Sequence, residues 1–417
     1  VISGNATTYS WVIDNPTVGI GLPNSGLNTI PAINGFNASN NVANSAVITI
    51  TPEFDGSDLS CPGIPFNLNV FVNPIPQINP VSDQTLCIQS PSEEVVFSGT
   101  GTSYNWEVFG AVGVGITNPS GANVLPSFLS TNPTDLPISN VIEATPVFTT
   151  GSVSCFGNTI DFEIFVLPNP TISPVAVSSY CNQSNTDEVF YDGVFTSNSW
   201  IIAANPNLGI NAALNGMGDL PSFSWTNTDN ANPQTANVTV TPFYTFNGLT
   251  CQGSVTSHNI SVLPTTIVNP LPDLVFCNGD FSAEFPINAT GTEITWNSSI
   301  DVGITSGTTY FIPDFTATNL DVSQNAPSVT ATVLITPSYT DTLGLTCEGT
   351  PSDFNITVHP TPVITPISNY TVCNFGTVIQ NLSTNIDADI SWSSNFNAFI
   401  GGNTTTIQNS NSIAEGL

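Results

Sequence analysis

Residues 347–373 read CEGTPSDFNITVHPTPVITPISNYTVC, in which two cysteines enclose one alternating run and a proline-rich stretch. The run FNITVHP at 354–360 alternates apolar and polar side chains, which is typical of a β-strand with one buried face. Proline fixes φ and favours an extended residue before it, so the stretch after this run predicts a stiff joint. The same interval of 26 residues separates three other pairs of cysteines: Cys61 and Cys87, Cys155 and Cys181, and Cys251 and Cys277. Each interval therefore covers the final strand of one unit, a joint, and the first strand of the next unit.

A tryptophan recurs with the same pattern, at intervals of 94 to 96 residues: Trp11, Trp106, Trp200, Trp296 and Trp392. A Val-Gly-Ile or Leu-Gly-Ile motif follows the first four, and a strand-like run with a Thr-Pro pair comes next. Self-similarity at a fixed period indicates a tandem array. We place its units at 1–76, 77–171, 172–267, 268–363 and 364–417. The first unit overlays the others only after their opening strand, and the last stops before its Thr-Pro, so we expect a longer protein.

The local pattern predicts an all-β fold, a tandem array of immunoglobulin-like antiparallel β-sandwiches of about 95 residues. Runs such as AVITITP (46–52) and ANVTVTP (236–242) alternate with period two and are rich in β-branched residues. The recurrent tryptophan is interpreted as a core residue rather than a carbohydrate contact. Because proline cannot donate to a ladder, each Thr-Pro predicts the end of a strand. Stiff joints predict units stacked end to end, as a rod roughly 150–200 Å long.

The charge balance is one-sided, because the chain has 30 Asp and Glu, two His, and no Lys or Arg. Phosphate recognition depends on Lys and Arg, so nucleic acid is excluded as a partner. Anionic membrane surfaces are disfavoured for the same reason. Carboxylates have no Lys or Arg to pair with, so stability has to come from burial, hydrogen bonds and covalent links. The bias serves solubility, and it also leaves trypsin-like proteases no site to cleave.

Eight cysteines at regular positions, without a CxxC pair, indicate disulfides in an oxidising compartment rather than a zinc site. All eight are candidates: Cys61, Cys87, Cys155, Cys181, Cys251, Cys277, Cys347 and Cys373. Three pairing schemes are open. A unit's first cysteine bonds its own second cysteine, or the two cysteines that flank one joint bond each other, or the first cysteine bonds the second cysteine of the next unit. Standard immunoglobulin topology counts against the first two schemes, but pairing within a unit is the commoner device in small secreted domains, and we prefer it.

The inventory for catalysis is poor, and no catalytic residue, metal ligand or cofactor is predicted. His258 and His359 fall at non-equivalent places and are interpreted as surface or joint residues. Two acidic pairs, Asp161 with Glu163 and Asp387 with Asp389, resemble calcium-ligand spacing only faintly, and interdomain Ca²⁺ is the one metal left open. Trp225 stands out of register with the other tryptophans. It is interpreted as covering a longer loop, with an exposed sugar or partner contact as the alternative.

The combined motifs resemble a known class of repeats. Each unit has a proline-rich joint and a cysteine, followed by Y-x-W, V-G-I, I/L-P-x-F, T-P and L-T-C-x-G. This order of motifs is similar to that of the PKD-like and immunoglobulin-like repeats of giant surface proteins in Bacteroidota. The resemblance covers the whole chain, although the W-D-F-G-D-G signature of true PKD domains and a C-terminal sorting domain are missing. It implies export by the type IX secretion system and a place in cell-surface adhesins, including gliding-motility adhesins. It also implies O-glycosylation of Thr342, within the tripeptide Asp341-Thr342-Leu343.

These features predict a non-catalytic structural segment of an extracellular or cell-surface protein, at the outer membrane or secreted, that forms a stiff stalk or filament of an adhesin. The alternative is a spacer or carbohydrate-binding accessory region of a secreted polysaccharide-degrading enzyme. The expected partners are neighbouring repeats of the same chain, surface glycans, and other copies through lateral association.

Overall fold

The computed structural model describes most of the chain, in two compact units. The residues it does not describe are 1, 3, 5, 20, 57, 111, 112, 212, 370, 374–377, 393–407, 410, 411, 416 and 417. One unit comprises residues 1–173, 191–199 and 240–256, and the other comprises 174–190, 200–239 and 257–417. Ile20 of the first Val-Gly-Ile motif and much of the fifth repeat lie outside the described residues. The boundaries of the five repeats stay a prediction.

The second repeat shows how the main sheet is built. Its order is first strand Gln84–Leu86, final strand Ile160–Val166, long strand Ile138–Thr150, tryptophan strand Ser103–Gly110 and edge strand Ser120–Ala122. The first strand runs parallel to the final strand, and the other neighbours are antiparallel. A sixth, hairpin strand, Val153–Phe156, pairs with the far half of the long strand. The final strand therefore covers one half of the long strand, and the hairpin strand covers the other half.

The same strand roles recur in the other repeats. The strands below are given in the order first, final, long, tryptophan, edge and hairpin strand. The third repeat has Ser178–Cys181, Thr256–Leu263, Gln234–Phe246, Ser197–Ile202, Asn215–Met217 and Leu249–Gln252. The fourth has Leu274–Cys277, Ser352–His359, Val329–Thr340, Glu293–Ser298, Ser306–Gly307 and Thr346–Glu348. The first has a final strand Phe66–Val72, then Asn44–Asp55, Thr8–Ile13, Ser25–Leu27 and Ser60–Pro62. Among its described residues, the first repeat has no strand in the role of the first strand.

Short two-stranded pairs form the second layer. They are Val95–Val96 with Val124–Leu125, Thr171–Ile172 with Gly193–Val194, Leu208–Ile210 with Trp225–Asn227, Phe281–Ser282 with Phe315–Thr316, and Phe285–Pro286 with Phe311–Ile312. In the fifth repeat Val378–Asn381 pairs with Ser412–Glu415, and Ser391–Trp392 with Gln408–Asn409. One 3-10 turn, Pro16–Val18, completes the regular structure of the described residues. The prediction of an all-β tandem array of immunoglobulin-like sandwiches is confirmed.

Strict alternation along the central strands places one apolar layer inside each sandwich. In the fourth repeat, Val333 of the long strand lies opposite Phe354 of the final strand, and both side chains are buried. Trp296 lies opposite Ile335 on the other side of the long strand. A buried residue of this size stabilises the fold by roughly 1.5–3 kcal/mol relative to an exposed one. The core is therefore encoded by the period-two pattern that the sequence displays.

The first four recurrent tryptophans lie in the cores, and a glycine makes room for each of them. A Cβ carbon on Gly121 of the edge strand would be 2.5 Å from the Trp106 ring. The corresponding distance is 2.6 Å for Gly26 and Trp11, 2.4 Å for Gly216 and Trp200, and 2.2 Å for Gly307 and Trp296. Trp106 Nε1 donates a hydrogen bond of 3.0 Å to the Val124 carbonyl. Trp11, Trp106, Trp200 and Trp296 are buried, and Trp392 is half-buried.

The expectation that each Thr-Pro ends a strand is wrong, because the long strands run through their prolines, at Pro52, Pro146, Pro242 and Pro337. In the second repeat Pro146 lies between Ala144, which pairs with the final strand, and Val147, which pairs with the hairpin strand. The proline therefore stands where the long strand changes partner and has no ladder bond to donate. Its carbonyl still accepts a hydrogen bond of 2.9 Å from the Gly157 N–H.

Candidate functional site: the bridged junctions between repeats

The two disulfides bond Cys87 to Cys251 and Cys181 to Cys347, with Cα atoms 5.5 and 5.6 Å apart. Each joins the first-strand cysteine of one repeat to the hairpin cysteine of the next repeat. The preferred interpretation, pairing within a repeat, is wrong, and the third scheme is the one observed. The reason is geometric: the first and final strands are parallel, so the first-strand cysteine lies where the repeat ends. The hairpin cysteine lies at the opposite end, where the preceding repeat arrives.

The junction of the second and third repeats buries one of its two sulfurs. Cys251 lies opposite Tyr244 in the hairpin and is 3% exposed, whereas Cys87 directly follows the first strand and is half-buried. Beside the disulfide, the ring of Phe165 on the final strand of one repeat lies 5.5 Å from the ring of Phe246 on the long strand of the next. Aromatic pairs at this separation add about 0.5–1.5 kcal/mol beyond their burial. The junction is therefore both bonded and packed.

A glycine two residues after each of the hairpin cysteines Cys155, Cys251 and Cys347 lets the incoming chain pass closely. A Cβ carbon on Gly253 would be 1.9 Å from the carbonyl oxygen of Pro170 in the joint. Gly157 stands in the same relation to the Pro76 carbonyl at 1.9 Å, and Gly349 to the Thr266 carbonyl at 2.2 Å. Only glycine fits where two backbones approach so closely. The C-x-G motif thus holds the joint against the hairpin of the repeat that the joint enters.

An asparagine clamps the end of every final strand in the first four repeats, and sequence reasoning missed it. Asn132 Nδ2 donates to the carbonyls of Val166 and Leu136 at 2.8 and 2.9 Å, and its Oδ1 accepts from the Thr134 N–H. Asn37, Asn227 and Asn319 make the equivalent bonds to Val72, Val262 and Val358. The clamp holds the last carbonyl before the joint. Its sequence signal is an asparagine that recurs at about the repeat period.

The junction of the third and fourth repeats adds a polar contact. The Asp341 carboxylate accepts hydrogen bonds from the N–H groups of Leu343 and Leu345, both at 2.9 Å. Although burial raises the pKa of this carboxyl, a hydrogen bond from Ser179 and the backbone bonds lower the pKa more, so it lies below its ordinary value. Asp341 therefore stays ionised and ties the fourth repeat's hairpin to the first strand of the third. Thr342, the residue expected to carry a glycan, is exposed in this hairpin.

A concave surface of about 680 Å³ lies at this junction. The first and final strands of the third repeat line one side, with Ser179 and Asn259, and the fourth repeat lines the other, with Tyr339, Asp341 and Thr342. Its polar groups are hydroxyls, amides and one carboxylate. Such a surface offers hydrogen bonds and one aromatic face to a ligand.

Four cysteines form no disulfide in the described structure. Cys61, Cys277 and Cys373 are exposed, and Cys155 is half-buried. Two of them, Cys61 and Cys155, stand on hairpin strands, and Cys277 and Cys373 belong to the first-strand type. Cys155 lies opposite Phe148, at the register that Cys251 and Cys347 occupy opposite Tyr244 and Tyr339.

His258 is not a surface residue, contrary to the sequence expectation. It points into the third repeat from the final strand, is 6% exposed, and occupies the position that Phe162 and Phe354 hold in the neighbouring repeats. Burial lowers the pKa of its imidazole below the ordinary 6.5. His359, in contrast, is exposed at the end of a final strand, where its Nδ1 lies 2.6 Å from Ser328 Oγ.

Trp225 is also buried, at 2% exposure, so the alternative interpretation of it as an exposed sugar or partner contact is wrong. It begins the strand Trp225–Asn227, pairs with Ile210, and its ring lies 5.3 Å from the ring of Phe223. This tryptophan therefore fills the core from the second layer.

Within the described part of the chain, no three His, Cys, Asp or Glu side chains gather closely enough to hold a metal ion. Asp161 and Glu163 lie on one final strand, and Asp387 and Asp389 lie in the fifth repeat. Calcium binding stays a prediction. Among the described residues, no helix has the length and apolar character needed to cross a membrane.

Comparisons with known proteins find a structural likeness but no family. No protein-family model matches the chain, and no curated protein sequence does. The human desmocollin-1 ectodomain is 10% identical over 99% of this chain and 87% of its own, with a TM-score of 0.30. Domains EC1-4 of Drosophila N-cadherin are 13% identical over 86% and 94%, with a TM-score of 0.27. Domains EC1-3 of mouse protocadherin-24 are 11% identical over 67% and 98%, with a TM-score of 0.29. Values this low assign neither a family nor a function.

Proposed function

We propose that this chain is a non-catalytic, load-bearing repeat segment of an extracellular surface protein, a stiff stalk or filament of an adhesin. The observation that carries the proposal is the register of the disulfides, each of which joins a repeat to the next one. A bond inside one repeat would stabilise only that repeat. A bond across a junction resists the separation of two repeats, which is what a chain under tension needs.

The two disulfides also overlap along the chain, because Cys181 lies between Cys87 and Cys251, and Cys251 lies between Cys181 and Cys347. A pulling force that reaches residue 87 can therefore cross to residue 251, return along about 70 residues to residue 181, and cross to residue 347. At about 3.5 Å per extended residue, this path spans about 250 Å, compared with about 900 Å for the unbridged chain between residues 87 and 347. Overlapping bonds thus limit how far a failing repeat can lengthen the molecule.

The composition supports an extracellular location. Disulfides persist in oxidising compartments, and a chain without Lys or Arg presents no site to trypsin-like proteases. The finer identity, a Bacteroidota adhesin of the gliding-motility type that is exported by the type IX system and held at the outer membrane, rests on the motif resemblance alone. Lateral association of such rods into a filament belongs to the same proposal.

Single-molecule pulling on the chain, held at its two ends, tests the mechanical role. The oxidised chain should reach a final contour length shorter by several hundred ångströms than the same chain after reduction. The variant with Cys87→Ser and Cys181→Ser should match the reduced chain without reductant, and a Cys61→Ser control should match the oxidised chain. Equal contour lengths before and after reduction would contradict a load-bearing role for the bonds.

The alternative, a carbohydrate-binding accessory region, is favoured by the concave surface at the junction of the third and fourth repeats, where Tyr339 lies among hydroxyl and amide groups. A glycan array probed with the chain tests it. Binding that Tyr339→Ala abolishes would favour the accessory region, and an inert chain that is elongated in electron micrographs would favour the stalk.

A further inference from the structure

The outward faces of the main sheets differ in charge from one repeat to the next. In the second repeat, the exposed Glu143 of the long strand lies directly opposite Glu107 on one side and Asp161 on the other. Ser120 of the edge strand, which lies opposite Glu107, completes a row of outward side chains across four strands. Like charges that stand directly opposite each other destabilise a sheet. This central row therefore carries three carboxylates in the second repeat.

The central row is uncharged in the first and third repeats. It consists of Ser25, Val12, Thr49 and Asn67 in the first repeat, of Asn215, Ile201, Thr239 and Ser257 in the third, and of Ser306, Asn297, Leu334 and Asp353 in the fourth. The members in the third repeat hold the same places relative to Trp200, Gly216 and Pro242. Thr239 Oγ1 donates a hydrogen bond of 3.2 Å to the Ile201 carbonyl, as neighbours on adjacent strands can.

Apolar side chains stand exposed on the two uncharged faces. Ile201 is 58% exposed, and Met217, which follows the glycine of the edge strand, is 72% exposed. In the first repeat Val12 and Leu27 hold the same two positions and are 56% and 66% exposed. The second and fourth repeats carry a glutamate and an asparagine beside the tryptophan instead. Loss of charge and gain of apolar exposure therefore occur together, in the same two repeats.

Hydroxyl and amide groups surround the apolar pair of the third repeat. Asn237 Nδ2 donates a hydrogen bond of 2.9 Å to Asn259 Oδ1, across the long and final strands. The acidic residues between positions 172 and 267 all lie outside the described main-sheet strands: Asp187, Glu188, Asp192, Asp219 and Asp229. The core of a protein interface is depleted of charged residues and enriched in methionine, and its rim is polar. The outward face of the third repeat has this composition.

The charge of the chain decides which occupant fits these faces. Because the chain has 30 acidic residues and no Lys or Arg, two copies repel each other over most of their surfaces. They can approach closely only where the facing surfaces carry no charge. A basic partner would instead be attracted to acidic faces such as that of the second repeat. The uncharged faces therefore fit another copy of this acidic chain.

The size of the faces fits association through two of them. Four strands about 4.8 Å apart and about seven residues long cover roughly 450 Å². A specific complex usually buries about 800 Å² on each partner. One face is therefore too small for a stable contact, and a chain that engages both faces buries about 900 Å².

We infer that the outward faces of the first and third repeats, centred on Val12 and Ile201, are docking faces for a second copy of this chain. The sheets pack face to face, with the exposed apolar residues in the centre and the hydroxyl and amide groups at the rim. The acidic face of the second repeat stays in solvent. This inference rests on the lateral association in the proposed function. It does not rest on the load-bearing disulfides, which pulling on a single chain tests separately.

Sedimentation velocity over a range of chain concentrations tests the inference. The parent should associate reversibly. Its association should tighten severalfold as salt rises from about 0.01 M to about 0.15 M, because the Debye length falls from about 30 Å to about 8 Å. Ile201→Glu should weaken self-association at least tenfold, and Ile201→Glu combined with Val12→Glu should leave only monomer. Asn297→Glu adds the same charge at the matched position of the fourth repeat, and it should change the association constant less than twofold.

A second variant tests the acidic face in the opposite direction. Glu107→Ile, Glu143→Thr and Asp161→Ser together give the second repeat the central row of the third, and they should tighten self-association at least tenfold. Its control removes three exposed charges outside the main-sheet strands, by Glu93→Gln, Glu94→Gln and Asp135→Asn, and should tighten association much less. An unchanged melting temperature shows that each variant is folded.

Three results would overturn the inference. One is a parent chain that stays monomeric at the highest concentration and at both salt levels. Another is self-association that Ile201→Glu weakens no more than Asn297→Glu does. The third is a monomeric parent whose binding on a glycan array is lost in Ile201→Glu, because the face would then belong to a glycan. None of these results would change the contour lengths that the pulling experiment measures.

Discussion

Gly253 lies against the carbonyl of Pro170, so close that a Cβ carbon on residue 253 would be 1.9 Å from the carbonyl oxygen. Because both partners are backbone, neither can move aside cheaply. Gly253→Ala should therefore destabilise the third repeat by about 1–3 kcal/mol, the usual cost of overpacking. Hydrogen-exchange mass spectrometry would report this as faster exchange in residues 240–263.

Gly209→Ala is the matched control, because its nearest contact is an ordinary 3.5 Å to Thr226 and its φ is not positive. The unfolding free energy that hydrogen exchange reports for this variant should stay within about 0.5 kcal/mol of the parent value. Equal effects of the two variants would show that the approach at the joint does not constrain the fold.

Asn132→Ala should weaken the end of the second repeat's final strand. The substitution leaves the Val166 carbonyl without the donor that now lies at 2.8 Å, and an unsatisfied buried acceptor costs about 1–3 kcal/mol. Denaturant unfolding monitored by hydrogen exchange in residues 160–167 would measure the loss. The exposed Asn118 provides the control, since Asn118→Ala should leave exchange there unchanged. If Asn132→Ala left exchange in residues 160–167 unchanged, water would be replacing the hydrogen bond that Asn132 donates to the Val166 carbonyl.

His258 should make the third repeat sensitive to acid. Its folded-state pKa lies below the unfolded value of about 6.5, so the unfolded state binds the proton more readily. The stability from the neutral imidazole is present above about pH 6.5 and is lost as the pH falls through that value towards the folded-state pKa. Between pH 7.5 and 5, melting temperature should fall more for the parent than for His258→Phe.

Phenylalanine is the residue that the second and fourth repeats carry at this position, so His258→Phe should also raise the melting temperature at pH 7.5. His359→Gln, which changes the exposed histidine, should keep the parental pH dependence. If His258→Phe and the parent lost stability equally on acidification, the carboxylates alone would account for the effect.

The disulfide Cys87–Cys251 should contribute strongly to stability, because the loop that it closes spans 164 residues. Chain-entropy reasoning gives about 5 kcal/mol for a loop of this size. Cys251→Ser should lower the melting temperature of residues 77–256 markedly and leave a single additional thiol to titrate, Cys87. Cys155→Ser removes a hairpin cysteine without a disulfide, and its melting temperature should match the parent.

Much of the fold was predictable from short-range pattern. Alternation in runs such as 236–242 identifies strands because a buried face repeats every second residue. The tryptophan period indicated the tandem array for a similar reason, since each of the first four rings fills the same place in a copied core. The prediction that each Thr-Pro ends a strand was wrong. A missing proline N–H destabilises a strand only where a neighbouring strand would accept a hydrogen bond from that residue. At Pro146 no neighbour does.

The candidate site was only partly predictable. The C-x-G motif and the cysteine interval are visible in the sequence, but the contacts between Gly253 and Pro170 join segments over 80 residues apart. The asparagine clamps were visible only as a recurrent letter among many asparagines. Burial of His258 follows from its register with Phe162 and Phe354, which strand pairing defines.

The sequence by itself determined the all-β class and the repeat, because these depend on local periodicity. Tertiary structure alone decided which cysteine bonds which. That choice depends on the end of the sandwich at which each strand finishes, and the parallel pairing of first and final strands sets it. Once both strands end at the same pole, a first-strand cysteine can reach only the hairpin of the next repeat.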